Sequence, residues 1–217
     1  MSSARQRATR RVQREEARRQ IRDAAVAFLR EHPFRELSVD AVMAQTPLAR
    51  TAFYRHFDDV TELVQELLGE VGGELYAIAK KWNASAGEDF AAATHEGLTE
   101  VARYFQKHGP LAQAVADAAS TDERVEASYN AMLEAYDNLI ANGLDARIAD
   151  GRLEPCDTRA LARALNLMGT SYMLDSFGRE PAADPDSVVK TLELIWLRVI
   201  DAKLKASDIA PADKAHP

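Results

Sequence analysis

Residues 38–57 place two guanidiniums, a hydroxyl and a phenol at helical spacing: Arg50, Thr51, Tyr54 and Arg55. On a helix these four fall on one side, and Ala49, Ala52, Phe53 and His56 fall opposite. The small and aromatic side can pack on neighbouring helices. The polar side can donate to phosphate oxygens and to base edges in a major groove, and arginine suits both acceptors. A second concentration of charge lies upstream. Eight arginines sit between Arg5 and Arg22, with only Glu15 and Glu16 among them. Residues 1–57 hold twelve arginines and six acidic residues, a net of +6 on a chain whose total is −7. A basic head on an acidic body points to a polyanionic partner, because phosphate affinity comes from locally clustered cations.

The elements that must position these groups read as helices. Residues 1–12 have no apolar period and are expected to be disordered when free. A helix is expected from about Arg14 to His32, with Ile21, Ala24, Ala25, Phe28 and Leu29 on its apolar stripe. Pro33 ends it. Ser38 can cap a second, short helix, with Leu37 and Val42 at staple positions and Asp40 near the positive end of the dipole. Thr46-Pro47 interrupts, and a third short helix is expected from about Leu48 to Phe57. Two short helices around a tight turn have the spacing of a helix-turn-helix. Asp59 with Glu62 is a capping pair for a longer fourth helix, to about Trp82.

Beyond a loop at 83–87, further helices are expected at about 89–107, 111–119, 122–148, 157–177 and 185–205. His108-Gly109-Pro110 closes the first of them, Gly151 to Pro155 is a turn, and the tail to Pro217 looks loose. No segment shows convincing period-two alternation, so the fold class is all-α.

The stretch Arg50-Thr-Ala-Phe-Tyr-Arg-His-Phe57, after Leu37-Ser-Val-Asp40 and an amphipathic first helix, resembles the DNA-binding head of the TetR family of transcriptional repressors. Arg50, Phe53, Tyr54, His56 and Phe57 match that family's motif, with Leu48 in its valine position. The resemblance implies a three-helix DNA-binding head, residues 1–57, on a helical effector-binding and dimerisation domain, residues 58–217. It implies a homodimer on a double-stranded operator. The candidate DNA-contacting residues are Ser38, Arg50, Thr51, Tyr54, Arg55 and His56. Four positions depart from the pattern. Pro47 stands for a turn glycine, Ala49 for a serine cap, Ala52 for a threonine and Val60 for a lysine. Two hydroxyls and a cation are thereby removed from the expected phosphate contacts, and Arg55 and the arginine-rich arm offer replacements.

Ala164-Leu-Asn-Leu-Met168, with Ser176-Phe-Gly178 and Leu194-Ile-Trp196, is similar to the EthR-like branch of that family. Such proteins carry a hydrophobic effector in an elongated apolar tunnel. The matching effector residues here would be Phe105, Tyr129, Leu133, Tyr136, Leu139, Asn166 and Trp196. Tyr129, Leu133 and Tyr136 share a helix face by spacing alone, and Asn166 needs a partner in its apolar setting, for which a ligand carbonyl would serve. An ordinary packed core gives the same stripe. The helices at about 157–177 and 185–205 resemble the family's dimer-forming pair. Leu192, Ile195, Trp196, Val199 and Ile200 form a stripe that must be buried, in the subunit's own core or in a dimer.

Other chemistry finds little support. There is one cysteine, Cys156, so neither an internal disulfide nor a cysteine zinc site is expected. The five histidines form no His-Glu-x-x-His or Glu-x-x-His pair, and no phosphate loop, dinucleotide fingerprint or nucleophile elbow occurs. No enzyme activity and no cofactor are expected. No apolar run is long enough to span a bilayer and no secretory h-region is present, so a cytoplasmic location without membrane contact is expected. A different reading of the same head is a helical adapter that binds an acidic protein partner.

Overall fold

The protein is described by a computed structural model covering residues 2–85 and 89–200. Among the described residues there are eight α-helices and no strand: α1 (Ser2–Glu31), α2 (Val39–Met43), α3 (Arg50–Phe53), α4 (Val60–Ser85), α5 (Phe90–Ala119), α6 (Glu123–Ala149), α7 (Thr158–Phe177) and α8 (Pro185–Ile200). A single 3-10 turn, Phe34–Glu36, links α1 to α2.

The first helix corrects the expectation of a loose arm at 1–12. It begins at Ser2. Residues 2–32 contain no glycine or proline and are rich in strong helix formers, so the helix nucleated by the packed stretch propagates toward the N-terminus. The packed stretch is the expected stripe: Ile21, Ala24, Ala25, Phe28 and Leu29 are all buried. At α2, the Ser38 hydroxyl accepts from the Ala41 amide at 3.2 Å. The following turn needs no glycine, which is how Pro47 is accommodated. Thr46 Oγ1 donates to the Met43 carbonyl at 3.0 Å and accepts from the Leu48 amide at 3.2 Å, and among the described residues no non-glycine residue takes a positive φ.

Helix α3 is shorter than the span 48–57. Ala49 offers no side-chain cap, so the helix starts only at Arg50. Its exit tightens into a turn, with the His56 amide donating to the Phe53 carbonyl at 2.9 Å. The next cap is reciprocal. Asp59 Oδ1 accepts from the Glu62 amide at 2.9 Å, and Glu62 Oε2 accepts from the Asp58 amide at 2.6 Å.

The expected break at His108-Gly109-Pro110 is absent, and α5 runs through Pro110 as one helix. Proline removes one rung of the ladder, but Leu111, Ala112 and Val115 beyond it are buried, and that burial sustains the helix. Gly109 serves a different purpose. A Cβ there would run into the Phe177 backbone carbonyl, so glycine permits the close approach of α7 to α5. The later caps are conventional. Asp122 Oδ1 accepts from the Arg124 amide at 2.9 Å, and Asp157 Oδ1 accepts from the Ala160 amide at 3.0 Å. Gly151 takes φ 68° in the turn after α6. Whether α8 continues to 205, and the form of the tail, lie outside the described residues.

The chain forms two compact units. The first contains residues 1–72 and 110–131, and the second contains 73–109 and 132–217. The boundary between the two units falls within α4, α5 and α6. In the first unit α1 packs on α2 and α3, around Ile21, Val42, Phe53, Phe57, Leu63 and Leu67. In the second, α7 packs on α8, and the core includes Trp82, Phe105, Leu144, Met173, Leu192 and Trp196.

Candidate nucleic-acid interface

Helix α3 and the turn that follows it, through Arg55, have two unlike sides. Phe53 is 0% exposed and anchors the helix, while Arg50, Thr51, Tyr54 and Arg55 are all exposed. Truncating a phenylalanine buried this way costs about 3–5 kcal/mol, so the helix is held rigidly by its inner side. Tyr54 is 50% exposed although it is a large aromatic residue. Arg50 is oriented before any partner arrives. Its Nε lies 2.6 Å from Asp40 Oδ1, and its guanidinium carbon lies 5.6 Å from the Tyr54 ring centroid. Both charges are well exposed, so this pair is a weak, exchangeable restraint. Ser38 is exposed as well, and its hydroxyl is engaged in the α2 cap.

His56 does not share the outward side. It is half-buried, its Nδ1 is enclosed without a partner, and its backbone carbonyl accepts from Arg18 Nη1 at 3.1 Å. Burial first, then the charges of Arg14 and Arg18, lower its pKa, so the ring is neutral near pH 7.

Two clamps fix the first unit around α3, and neither set of pairings is among the expectations drawn from the sequence. In the first, Arg18 and Arg22 of α1 meet Glu66 and Glu70 of α4. Arg18 Nε lies 3.0 Å from Glu66 Oε2, and its guanidinium carbon lies 4.6 Å from the Phe57 ring centroid. Burial alone would raise the Glu66 pKa, but the hydrogen bond and charge of Arg18, then those of Arg22, outweigh it and lower it. The signal existed in the sequence as an i, i+4 arginine pair opposite an i, i+4 glutamate pair. In the second, α6 grips the start of α4. Arg124 Nη2 lies 2.7 Å from Asp59 Oδ2, Thr61 Oγ1 donates to Asp122 Oδ2 at 2.7 Å, and Gln65 Nε2 donates to Ser128 Oγ at 2.8 Å. The Thr61 hydrogen bond is the leading cause of a lowered Asp122 pKa.

The candidate effector residues are distributed as follows. Phe105, Leu133 and Trp196 are buried, and Tyr129, Tyr136, Leu139 and Asn166 are half-buried. Tyr129 falls in the first unit and the other six in the second. Trp196 stands edge-on to Trp82 with centroids 5.6 Å apart, and its indole nitrogen is buried without a partner. Tyr136 lies 5.9 Å from Tyr76, and burial raises its pKa. Asn166 already has a partner within the chain: its amide donates to Asp137 Oδ1 at 2.8 Å, and Arg163 holds the other oxygen at 3.1 Å. A ligand carbonyl is therefore not needed to satisfy that donor. A small cleft of about 10 Å³ beside Trp82 and Gly97 has room for little more than a water molecule, and none of the seven residues lines it.

Among the described residues no cluster of His, Cys, Asp or Glu could hold a metal ion, and no helix is long and apolar enough to cross a membrane.

Comparison with known proteins assigns the fold and its parts. Residues 21–67 match the bacterial regulatory protein, tetR family, and residues 94–202 match the C-terminal domain of the transcriptional regulator EthR. The chain belongs to the TetR family of transcriptional regulators, with a C-terminal domain of the EthR type. A relative in Haemophilus influenzae, described as an uncharacterized HTH-type transcriptional regulator, is 44% identical over 62 residues. That match covers 28% of this chain and 30% of the relative's own length. Among solved structures, a TetR-family regulator from Syntrophomonas wolfei has a TM-score of 0.72 at 12% identity, covering 88% of this chain and 98% of its own. FadR, a fatty acid degradation regulator from Bacillus halodurans, has a TM-score of 0.70 at 17% identity, covering 87% and 97%. SmeT, the repressor of a Stenotrophomonas maltophilia multidrug efflux pump, has a TM-score of 0.69 at 15% identity, covering 89% and 96%. At these identities the likeness is one of fold.

Proposed function

We propose that this protein is a repressor that binds an operator as a homodimer and is modulated by a hydrophobic small molecule. The observation that carries the reading is the two-sided α3: a buried Phe53 anchor beneath exposed Arg50, Thr51, Tyr54 and Arg55. Arg50 and Arg55 supply bidentate donors to guanine edges or phosphates, and Thr51 and Tyr54 supply hydroxyls. Ser38, at the start of α2, would contact phosphate beside its cap. His56 supports the helix from its inner side. Replacing Arg50 and Tyr54 by alanine tests this reading. Sequence-selective DNA binding is expected to be lost while the thermal transition stays in place. Retained selectivity in that variant contradicts the reading, and loss of a protein partner instead favours an adapter.

The effector and dimer parts rest on the EthR-type domain. Trp196, Tyr136, Phe105, Leu133, Leu139 and Asn166, all in the second unit, would line the effector site. The unpartnered Trp196 indole would donate to a ligand acceptor. Leu167 on α7 and Leu194 and Val199 on α8 are between 37% and 43% exposed, as apolar residues are when a second copy covers them. Two recognition helices of a dimer meet successive major grooves when they lie about 34–36 Å apart. An effector that binds better to a dimer with another spacing lowers operator affinity by its differential affinity for the two states. A titration in which compounds bind the protein yet leave operator affinity unchanged would sink this mechanism.

A further inference from the structure

The arginines of α1 fall in one register with two fates. At 100° per residue, Arg7, Arg10, Arg11, Arg14 and Arg18 lie within an arc of about 100°. The C-terminal part of the stripe is neutralised: Arg18 and Arg22 pair with Glu66 and Glu70. The N-terminal part is not. Arg7, Arg10, Arg11 and Arg14 are exposed, and among the described residues none of them forms an ion pair. The acid nearest to this side is Glu15, at its rim. The stripe is continuous with α3, because Arg18 holds the His56 carbonyl and lies against Phe57 at the exit of that helix. Arg14 is close enough to contribute to the lowered His56 pKa.

We propose that Arg7, Arg10, Arg11 and Arg14 form a second DNA-binding surface, which takes the sugar–phosphate backbone beside the bases read by α3. The proposal rests on the DNA-binding reading of α3 and extends it. Helical geometry places the four guanidiniums along about 10 Å. The same length of duplex axis carries about six phosphate charges. An ordered helix presents the cations without the entropy cost of ordering a loose arm on contact. It also concentrates positive charge locally on a chain whose net charge of −7 would otherwise oppose DNA. Contacts of this kind supply affinity and register but no sequence discrimination. They stand in for the hydroxyls absent at Ala49 and Ala52.

The test uses the full chain with all four arginines replaced by glutamine, which keeps helix propensity. Binding to an operator duplex and to a scrambled duplex is measured over a salt series. The slope of log K against log salt is expected to fall by about three to four, near 0.9 for each lost phosphate contact. Between about 50 and 200 mM salt, the variant should lose about a hundredfold less affinity than the natural chain. The preference for operator over scrambled duplex should be unchanged. Arg50→Ala should do the reverse, reducing the preference about 5- to 150-fold (about 1–3 kcal/mol) with a slope change of about one at most. An unchanged slope in the quadruple variant overturns the proposal while leaving the reading of α3 intact. Failure of the natural chain to prefer the operator contradicts the reading of α3, and the scrambled-duplex slopes still decide whether the arm binds phosphate. A variant that keeps its slope but no longer binds polyglutamate assigns the surface to an acidic protein, and that also overturns the proposal.

Discussion

At the residue scale, the groups proposed to read DNA are engaged with each other in the free protein. Asp40 holds Arg50 over Tyr54, so DNA must compete with a carboxylate for that guanidinium. Asp40→Asn is therefore expected to raise affinity for every duplex and steepen the salt dependence, whereas Arg50→Ala should cost about 1–3 kcal/mol of discrimination at one base position. Fluorescence anisotropy on operator and scrambled duplexes separates the two effects. His56 carries a second expectation. Its pKa is lowered in the fold by burial and by Arg14 and Arg18, with Arg55 adding to the shift and Glu15 opposing it. As pH falls below about 6.5 the unfolded chain takes up the proton first. The head should thus hold its full stability above that pH and lose some as pH falls through the lower, folded-state value. Melting temperatures from pH 7.5 to 5 should show this loss, and His56→Asn should flatten it. A flat profile in the natural chain contradicts the assignment.

At the element scale, α3 is one turn long and cannot be stable by itself. Its position is imposed by Phe53 from beneath and by the Arg18 clamp at its exit, which ties α1, the His56 carbonyl and α4 together. The paired carboxylates Glu66, Asp59 and Asp122 all have lowered pKa values. Their contribution is fully present above the ordinary carboxylate pKa, about 4, and is lost as pH falls through the folded-state values. Glu66→Gln should therefore lower the melting temperature at pH 7 and narrow the difference between pH 7 and pH 3. The helix order, the Ser38 and Asp59 caps, the helix starts near 122 and 157 and the two sides of α3 were legible in the sequence, because caps and apolar periods are local signals. The clamps were not, since they join residues more than forty positions apart. The α1 extension and the passage of α5 through Pro110 were misjudged for a related reason. Composition and a single breaker residue were weighed locally, whereas nucleation by a packed neighbouring segment decides whether a helix continues. Gly109 had the opposite fault. It resembles a helix stop, yet its role is contact with Phe177, and Gly109→Val should destabilise the fold by at least about 1–3 kcal/mol through that clash.

At the scale of the whole molecule, a chain of net charge −7 is assigned to a polyanionic partner, which makes the distribution of charge decisive. The account requires two copies. Leu167→Glu with Leu194→Glu places charge on the exposed apolar residues of α7 and α8, so sedimentation should show a monomer and operator affinity should fall by orders of magnitude. A double variant that remains dimeric would move the interface elsewhere. The central claim, selective recognition of DNA by the α3 face, is tested most directly by one binding measurement. The purified protein is titrated against the DNA upstream of its own gene and against a scrambled duplex of equal length, across a salt series. The account predicts a preference for the natural sequence that persists at moderate salt, with a footprint whose half-sites lie one helical turn or a multiple of it apart. Equal and strongly salt-sensitive binding to both duplexes at every salt concentration would contradict it.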